Sequence, residues 1–366
     1  MKIDHIHFYV EDAAQQRDWF IQKMGFKSIG SYFNNDARTE IVGINSIFFL
    51  ISSPLTTTSS VALYLQSHPS GVADIAFQVN DIEACLTKIF HLGIKVIQPT
   101  QTYYLDGNFI KWAKIKGWND LEHTLIENNT SIPFFNIFNH SVINQDLDSN
   151  NSNNLQISSN ISCIDHVVLN VESGQLRSAV NFYQRTFNFQ IKQTFSISTN
   201  YSGLYSEALV DSSGQISFNV NEPSSASSQI QEFINANGGS GIQHIALHTS
   251  NIINTVGQMR KLGLSFLSIP QEYYLQQKQK YYHNKLQVLN NEEWKSLVSN
   301  QILIDWKSET TQSLLMQIFT QVIFNEPTFF FELIERRNQA QGFGEGNFKA
   351  LFSAIEQEQI ARSSNY

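Results

Sequence analysis

Three observations predict an α+β fold of tandem β-α-β-β-β modules, arranged as two open barrel-like domains that arose by duplication. Segments that read as a strand followed by a helix recur in the same order in the two halves of the 366-residue chain. Short β-rich runs with turn signals lie between these segments. A polar stretch of low complexity separates the halves. Such internal repetition indicates a duplicated architecture.

The first repeated segment is "KIDHIHFYVEDAAQQRDWFIQKMGFK", which begins at Lys2 and matches "CIDHVVLNVESGQLRSAVNFYQRTFNFQ", which begins at Cys163. Each reads as an apolar strand and an amphipathic helix that ends in a Gly-Phe or Asn-Phe turn. The second pair is "GVADIAFQVNDIEACLTKIFHLGIKV" from Gly71 and "GIQHIALHTSNIINTVGQMRKLGLSF" from Gly241. The third pair is "HTLIEN" from His123 and "FELIER" from Phe331. Together these pairs predict the module four times, twice in each half.

The remaining segments supply hairpins and a linker. The stretch "SEALVDSSGQISFNV", with Asp-Ser-Ser-Gly at its centre, is typical of a β-hairpin. The stretch "QDLDSNNSNNLQISSN", residues 145–160, is too polar to bury a core and indicates a linker. The predicted organisation is an N-terminal domain over 1–144, this linker, and a C-terminal domain over 161–366.

Composition argues against several classes of partner. The formal net charge is −8 and no basic cluster is present, so neither nucleic acid nor an anionic membrane surface is an expected partner. No apolar run approaches the ~18 residues of a membrane helix, and the N-terminus lacks a signal-peptide core. A soluble, cytoplasmic protein is therefore expected. The two cysteines, Cys85 and Cys163, are expected to be buried free thiols.

The duplication allows one half to serve as a control for the other. His5 aligns with His166, Asp74 with His244, and Thr124 with Glu332. If the fold itself required these side chains, both halves would carry the same residue types, which they do not. The second half therefore presents two imidazoles and one carboxylate for chemistry. Such a set is typical of the facial triad of non-haem Fe(II) oxygenases, with zinc as the competing metal.

Other histidines are expected to be structural or exposed. His248 stands four residues from His244, a spacing that would suit a metal site on a helix, but the stretch reads as a strand. We expect His248 to lie at the end of that strand without binding metal. His5, His7 and His123 are likewise interpreted as structural or surface residues.

At these residues the chain resembles the vicinal oxygen chelate superfamily and, in its second half, the 4-hydroxyphenylpyruvate dioxygenases. The matching motifs are "DHVVLNV" (165–171), "NEP" (221–223), "GIQHIAL" (241–247), "LLMQIFT" (314–320), "PTFFFELIER" (327–336) and "GFGEGNFKALF" (342–352). The resemblance implies Fe(II) bound by His166, His244 and Glu332. It implies the conversion of 4-hydroxyphenylpyruvate and O₂ to homogentisate and CO₂, with 161–366 as the catalytic domain and 1–144 as a domain without a metal site. A homo-oligomer, either a dimer or a tetramer, is a separate expectation.

The same resemblance implies a substrate pocket and a lid. It assigns catalytic roles to Gln243, Gln317 and Phe348. It assigns substrate contacts to Ser206, Asn221, Gln229, Gln243, Gln317, Phe319, Phe330, Phe343, Asn347, Phe348 and Leu351. The apolar stripe of "NFKALFSAIEQEQIAR" predicts a C-terminal amphipathic helix that caps the core. The resemblance implies that this helix also closes the site as a lid, with glycines 342, 344 and 346 as its hinge. Asn219 and Glu335 depart from the residues common in the family.

Three alternatives remain open at this stage. A 4-hydroxymandelate synthase has the same fold, metal and substrate, but such proteins tend to carry a smaller aliphatic residue where Phe348 stands. A non-catalytic binding protein of the same superfamily usually lacks the triad. A metal-dependent isomerase or lyase of the glyoxalase type needs a different ligand set, generally without this lid.

Overall fold

A computed structural model describes residues 1–130, 132–138, 160–198, 203–283, 289–306, 313–348 and 350–355. Its strands form two eight-stranded sheets, one in each half. The first sheet has the order β2-β3-β4-β1-β5-β8-β7-β6 and contains β1 (Lys2–Tyr9), β2 (Lys27–Phe33), β3 (Ala37–Ile44), β4 (Ile47–Pro54), β5 (Gly71–Gln78), β6 (Val96–Leu105), β7 (Asn108–Lys116) and β8 (Glu122–Asn128).

The second sheet repeats this order as β10-β11-β12-β9-β13-β16-β15-β14. It contains β9 (Ile161–Asn170), β10 (Gln190–Ser198), β11 (Gly203–Val210), β12 (Ser217–Pro223), β13 (Gly241–Thr249), β14 (Leu303–Trp306), β15 (Leu314–Phe319) and β16 (Phe330–Arg337). The identical strand order confirms the predicted tandem β-α-β-β-β modules, and β11 and β12 confirm the predicted hairpin.

The helices follow the same repetition. In the first half they are α1 (Ala13–Met24), α2 (Ser60–Ser67) and α3 (Ile82–His91). In the second half they are α4 (Leu176–Phe187), α5 (Gln229–Asn237), α6 (Ile252–Lys261), α7 (Gln271–His283) and α8 (Asn291–Ser299), and a further helix is described over residues 350–355. Short 3₁₀ helices occupy Phe134–Phe138 and Glu345–Asn347. The sequence analysis did not anticipate α7 and α8, which lie between α6 and β14.

The two turns predicted after the first helix of each half are the helix ends. Gly25 ends α1 with φ 75°, and Asn188 ends α4 with φ 60°. Glycine and asparagine are the residues that adopt this left-handed backbone at least cost, so both sequences stop the helix at the same place. At the other end of α1, the Asp12 carboxylate accepts hydrogen bonds from Ala14 N and Gln15 N.

Aromatic side chains join the two halves. Phe331 on β16 packs against Phe20 and Phe49 of the first half, with ring centroids 5.9 and 5.8 Å apart. Conversely, His123 on β8 of the first half forms a hydrogen bond of 3.2 Å, through Nε2, with the hydroxyl of Tyr183 on α4 of the second half. Each half therefore completes the other's core, and the outward face of β16 is fixed by this packing.

Some predictions were wrong and others lie outside the described residues. Both cysteines are free, but Cys163 is exposed because it lies in the exposed N-terminal part of β9, and Cys85 on α3 is only half-buried. Of the predicted linker 145–160, only residue 160 is described. None of the described helices is both long and apolar enough to cross a membrane. The cytoplasmic location and the homo-oligomeric state stay predictions.

The buried imidazole of His123 makes a testable prediction about acid stability. Its Nδ1–H donates to Ile75 O, so its Nε2 accepts from the Tyr183 hydroxyl. Burial lowers the pKa of His123 from 6.5 to about 4. Below pH 6.5 the unfolded chain binds a proton that the folded chain does not, so the free energy of unfolding falls as the pH drops toward 4. The full loss is up to about 3 kcal/mol.

Urea unfolding at several pH values between 7 and 4 measures this loss, with the His123→Gln variant as control. The variant retains hydrogen-bonding groups but cannot titrate. We expect it to be less stable at pH 7 and to have a flatter pH dependence, so that the two unfolding free energies converge toward pH 4. Parallel curves for the two proteins would contradict the assignment.

Candidate metal centre and its cavity

Three adjacent central strands bring the predicted metal ligands together. His166 lies on β9, His244 on β13 and Glu332 on β16, which are neighbours in the second sheet. Glu332 Oε2 lies 3.3 Å from His166 Nε2 and 3.6 Å from His244 Nε2. The three ligand atoms lie within 4.8 Å of one another, and all three residues are buried. Among the described residues, this trio is the group of His, Cys, Asp or Glu side chains that could share a metal ion.

A β-bulge places an acidic residue beside the first of these imidazoles. The pairing of β9 with β13 runs from Ile164 opposite Leu247 to His166 opposite Ala246, so Asp165 is an extra residue. Bulges re-aim side chains and are frequent beside active sites. The Asp165 carboxylate consequently accepts a hydrogen bond of 2.9 Å from His166 Nδ1. This bond directs the Nε2 of the same ring toward Glu332.

A second bulge explains how Gln243 reaches the cavity. Strict alternation along β13 would place Gln243 and His244 on opposite faces of the sheet. The pairing shifts between Ile242 and His244, however, so Gln243 is an unpaired extra residue and also lines the cavity. The His244 ring stacks on Phe330, with centroids 4.8 Å apart and planes 17° apart. Packing and bulge geometry together fix both side chains.

The electrostatics of the trio favour a bound cation. Burial alone would lower the pKa of His166, but the neighbouring Glu332 and Asp165 carboxylates raise it to about 9. Burial lowers the pKa of His244 well below its usual range, so that ring is neutral. Burial also raises the pKa of Glu332. A metal ion would compete with the proton that lies between His166 and Glu332. Loss of this proton leaves His166 as a neutral imidazole, which is the form that binds a metal ion.

One further observation tests whether a metal ion suits these residues. Glu332 Oε1 is buried and has no hydrogen-bond partner among the described residues. A buried carboxylate oxygen without a partner is costly, and metal coordination is one way to satisfy it. Two imidazoles and one carboxylate are also a donor set that divalent iron and zinc accept. The residues present therefore suit a divalent metal ion.

The cavity beside the trio contains nearly all the residues that the resemblance assigns to substrate. Its lining includes Ser206, Asn221, Gln229, Gln243, Gln317, Phe319, Phe330, Phe343, Phe348 and Leu351, together with the three proposed ligands. Asn347 does not line the cavity directly. Its amide nitrogen donates to Gln317 Oε1 at 3.2 Å and so supports a residue that does. A larger, more open cleft near Asp4 and Cys163 has no comparable trio.

The segment after β16 covers this cavity by close contact. A side chain at Gly344, where φ is 76°, would collide with the Gln317 amide. A side chain at Gly346 would collide with the Asp305 carboxylate, which instead accepts a hydrogen bond from Gly346 N. The Tyr273 hydroxyl on α7 lies 2.6 Å from Asn347 Oδ1. Gly344 and Gly346, two of the glycines predicted as a hinge, thus allow the segment to approach the Gln317 and Asp305 side chains closely when it covers the cavity.

The sequence analysis did not assign several lining residues. The apolar ones are Val168, Ile197, Leu204 and Ile230, for which strand and helix patterns give only a buried face. Asn219, noted as a departure from the family, lines the cavity, and its Oδ1 is buried without a partner among the described residues. Glu335, the other departure, points to the opposite face of the sheet, where it accepts from Ile252 N at the start of α6.

The equivalent place in the first half contains an ion pair. The Asp74 carboxylate accepts from the backbone N–H and the hydroxyl of Thr124, and Lys114 Nζ lies 3.2 Å from Asp74 Oδ2. Although burial opposes it, Lys114 holds the pKa of Asp74 well below its usual range. His5 keeps the counterpart of the His166 hydrogen bond, with Asp4 at 2.8 Å. An ammonium group thus neutralises the buried carboxylate of this half.

Both halves of the chain are similar to known proteins. Residues 2–122 and 163–282 match the model of the Glyoxalase/Bleomycin resistance protein/Dioxygenase superfamily. An uncharacterized protein of Synechocystis, slr0090, is 34% identical over 97% of both chains. The 4-hydroxyphenylpyruvate dioxygenase of Dictyostelium discoideum is 31% identical over 99% of both chains, and that of Danio rerio is 32% identical over all of this chain and 92% of its own.

Among solved structures, a triple mutant of 4-hydroxymandelate synthase from Streptomyces coelicolor superimposes with a TM-score of 0.82, at 24% identity and over 98% of both chains. This likeness shows the fold. With the two superfamily matches and the full-length relatives above 30% identity, the chain belongs to the glyoxalase/bleomycin resistance protein/dioxygenase superfamily and, within it, to the family of the 4-hydroxyphenylpyruvate dioxygenases.

Proposed function

We propose that the protein is an Fe(II)-dependent dioxygenase that converts 4-hydroxyphenylpyruvate and O₂ to homogentisate and CO₂. The observation that carries the proposal is the buried trio of His166, His244 and Glu332, which opens onto a cavity of amides and aromatic rings. Relatives that bear the name of this enzyme match along nearly the whole chain. The first half is proposed to be a domain without a metal site.

His166 and His244 would bind the iron through Nε2, and Glu332 through its carboxylate. Iron, when bound, supplies the coordination of the 2-keto acid and of O₂ and the redox chemistry of decarboxylation and hydroxylation. Asp165 holds the proton of His166 on Nδ1 and keeps Nε2 available. Two neutral imidazoles and one carboxylate reduce the charge of a divalent ion to about +1, which leaves it attractive to an anionic keto acid.

The rest of the lining would orient the substrate. Among the described lining residues, Glu332 is the one carboxylate and no lysine or arginine is present. The amides of Gln243, Gln317 and Asn221 can hydrogen-bond a phenol or a keto acid without competing for iron. Phe330 and Phe319 present aromatic faces and edges that suit a flat ring. Neutral polar groups among aromatic walls are typical of a small-molecule site.

The segment from Phe343 to residue 355 would exclude water. Phe343 packs edge-on against His166 at 5.4 Å, and Phe352 and Leu351 are buried in the wall of the cavity. A dry cavity strengthens the hydrogen bonds that position the substrate and prevents water from intercepting the reaction. Entry of substrate therefore requires this segment to move.

The direct test supplies purified protein with Fe(II), ascorbate and 4-hydroxyphenylpyruvate under air. O₂ uptake is followed with an electrode and the product is identified by chromatography. Equal amounts of O₂ consumed and homogentisate formed are expected. A product identified as 4-hydroxymandelate would favour the synthase that shares this fold. Absence of O₂ uptake by the iron-loaded protein would favour a binding protein.

Removal of any proposed ligand is expected to abolish iron binding. His166→Ala, His244→Ala and Glu332→Ala should each contain less than about a tenth of the wild-type iron after reconstitution, because three ligands are the minimum for such a site. Circular dichroism should report an intact fold. His5→Ala is the matched control, since His5 has the same hydrogen bond to a neighbouring aspartate. The His5→Ala variant should contain as much iron as the wild type. Iron loss in His5→Ala together with iron retention in His244→Ala would show that the metal site lies in the first half, which would refute the proposed location.

Phe348 is expected to influence where hydroxylation occurs. Its ring lines the cavity and is held edge-on by Phe195 at 5.4 Å. Phe348→Ile removes a flat wall and gives the substrate ring room to tilt, so the benzylic carbon can compete with the ring carbon. We expect a lower homogentisate yield and detectable 4-hydroxymandelate at unchanged iron content, measured by chromatography of both products. Homogentisate as the sole product of the variant would exclude this role.

Asn219 is expected to help the enzyme select a substrate whose ring carries a phenol hydroxyl group. Asn219 and His244 both pair with Val168, so their Cα atoms lie about 10 Å apart across the sheet. The phenol hydroxyl is the hydrogen-bond donor of the ionised substrate, and Asn219 Oδ1 is a buried acceptor. Asn219→Leu should lower the preference for 4-hydroxyphenylpyruvate over phenylpyruvate, as a ratio of kcat/KM, by roughly tenfold. An unchanged ratio would show that another residue recognises the hydroxyl.

A further inference from the structure

Arg336, at the end of β16, contacts both the acidic residue behind His166 and the segment that covers the cavity. We propose that Arg336 is a positioning residue that couples the orientation of His166 to the docking of residues 340–348. The inference rests on the proposed function only in treating His166, His244 and Glu332 as a metal site.

The first contact is with Asp165. Arg336 donates two parallel hydrogen bonds to its carboxylate, from Nε to Oδ2 and from Nη2 to Oδ1, each 2.7 Å long. Such a paired arrangement fixes both distance and plane. Asp165 Oδ1 is also the acceptor of the His166 Nδ1–H. Arg336 thus holds the carboxylate that holds the imidazole.

The second contact is with the covering segment. The remaining terminal nitrogen, Nη1, donates to Ala340 O at 3.0 Å and to Gly342 O at 2.8 Å. The next residue, Phe343, packs against the His166 ring. One planar guanidinium therefore fixes the segment that touches the imidazole and the carboxylate that orients it. Displacement of the segment therefore breaks the Nη1 hydrogen bonds and removes a restraint on the guanidinium that holds Asp165.

The first half shows how the same positions behave without a metal trio. Asp4 and His5 keep their hydrogen bond, but the second Asp4 oxygen accepts from Gln78 at 2.6 Å. By the strand pairing, the position equivalent to Arg336 is Asn128, and its amide donates to Ile132 O in the segment that follows. In this half two separate residues make the two contacts. Arg336 joins them in the half that carries the trio.

Joined contacts imply reciprocal coupling. A metal ion on His166 Nε2 would restrain the imidazole, and this restraint passes through Asp165 and Arg336 to the carbonyls of Ala340 and Gly342. Conversely, a docked segment would restrain Asp165 and favour metal binding by the same free energy. The relevant measurements are therefore metal affinity and the mobility of the segment, and neither requires substrate or turnover.

The test uses Co²⁺ as the metal probe and full-length protein without substrate. Co²⁺ affinity is measured by titration, and hydrogen exchange is measured for peptides that cover residues 338–348, with and without saturating Co²⁺. In the wild-type protein we expect Co²⁺ to slow exchange in this segment. Arg336→Gln should weaken Co²⁺ binding by about 10- to 100-fold. At saturating Co²⁺, the backbone amides of residues 338–348 in Arg336→Gln should exchange as fast as they do in the same variant without metal.

Arg337→Gln is the matched control on the neighbouring position. Arg337 pairs with Glu335 and Glu293, away from Asp165, so the control should match the wild type in both measurements. If circular dichroism shows that Arg336→Gln does not fold, Arg336→Lys carries the same test, since lysine keeps the charge but cannot make the parallel pair. A variant whose Co²⁺ affinity, or whose response of the segment to Co²⁺, equals that of the wild type overturns the proposal.

The outcomes also separate this inference from the proposed reaction. A wild-type protein that shows the coupling but forms no homogentisate would refute the proposed function and leave the role of Arg336 in place. A wild-type protein that forms homogentisate without any effect of Co²⁺ on residues 338–348 would refute the coupling alone. Failure of the wild type to bind Co²⁺ would refute both.

Discussion

The burial of one carboxylate determines much of this structure. Glu332 is 2% exposed, and its carboxylate lies beside the imidazoles of His166 and His244. A carboxylate in such surroundings is tolerated when a proton, a cation or hydrogen bonds compensate its charge. The raised pKa of His166 shows that the site attracts positive charge, because two carboxylates outweigh the effect of burial there. Any assignment of function has to account for this attraction, and a divalent ion does so.

The fold meets this constraint by aligning three strands from two successive modules. β9, β13 and β16 lie side by side at the centre of the second sheet, so one residue from each can point into the same concave face. Regular alternation supplies Glu332, with Phe331 directed into the aromatic core shared with the first half. Bulges supply what alternation cannot, because Asp165 and Gln243 are each the extra residue of a bulge.

These features separate what the sequence could predict from what it could not. The repeated strands, the helix ends at Gly25 and Asn188, and the trio could be predicted because duplication allows each position to be compared with its counterpart. The contact of Arg336 with Asp165 could not be predicted, because the two residues are 171 positions apart in the chain and meet at a bulge that residue type does not reveal. The sequence analysis also gave no place to α7, because residues 271–283 lack a counterpart in the first half.

The two halves also differ in how the chain continues after its last strand. In the first half, Phe134 and Phe135 of a short 3₁₀ helix pack into the concave face, and Phe134 stacks on His5 at 5.5 Å. In the second half the corresponding segment carries Phe343 against His166, but it passes through Gly344 and Gly346 and leaves a cavity beneath it.

The first arrangement fills its barrel with aromatic side chains and an internal ion pair between Asp74 and Lys114. The second holds its cover through hydrogen bonds of Arg336, Gly346 and Asn347 as well as through the buried rings of Phe343 and Phe352. Duplication thus produced one barrel filled by its own side chains and another that keeps a cavity beside three buried metal-ligand candidates. A cover attached by polar contacts to the metal side of the cavity is what a site that must admit substrate and then exclude water requires.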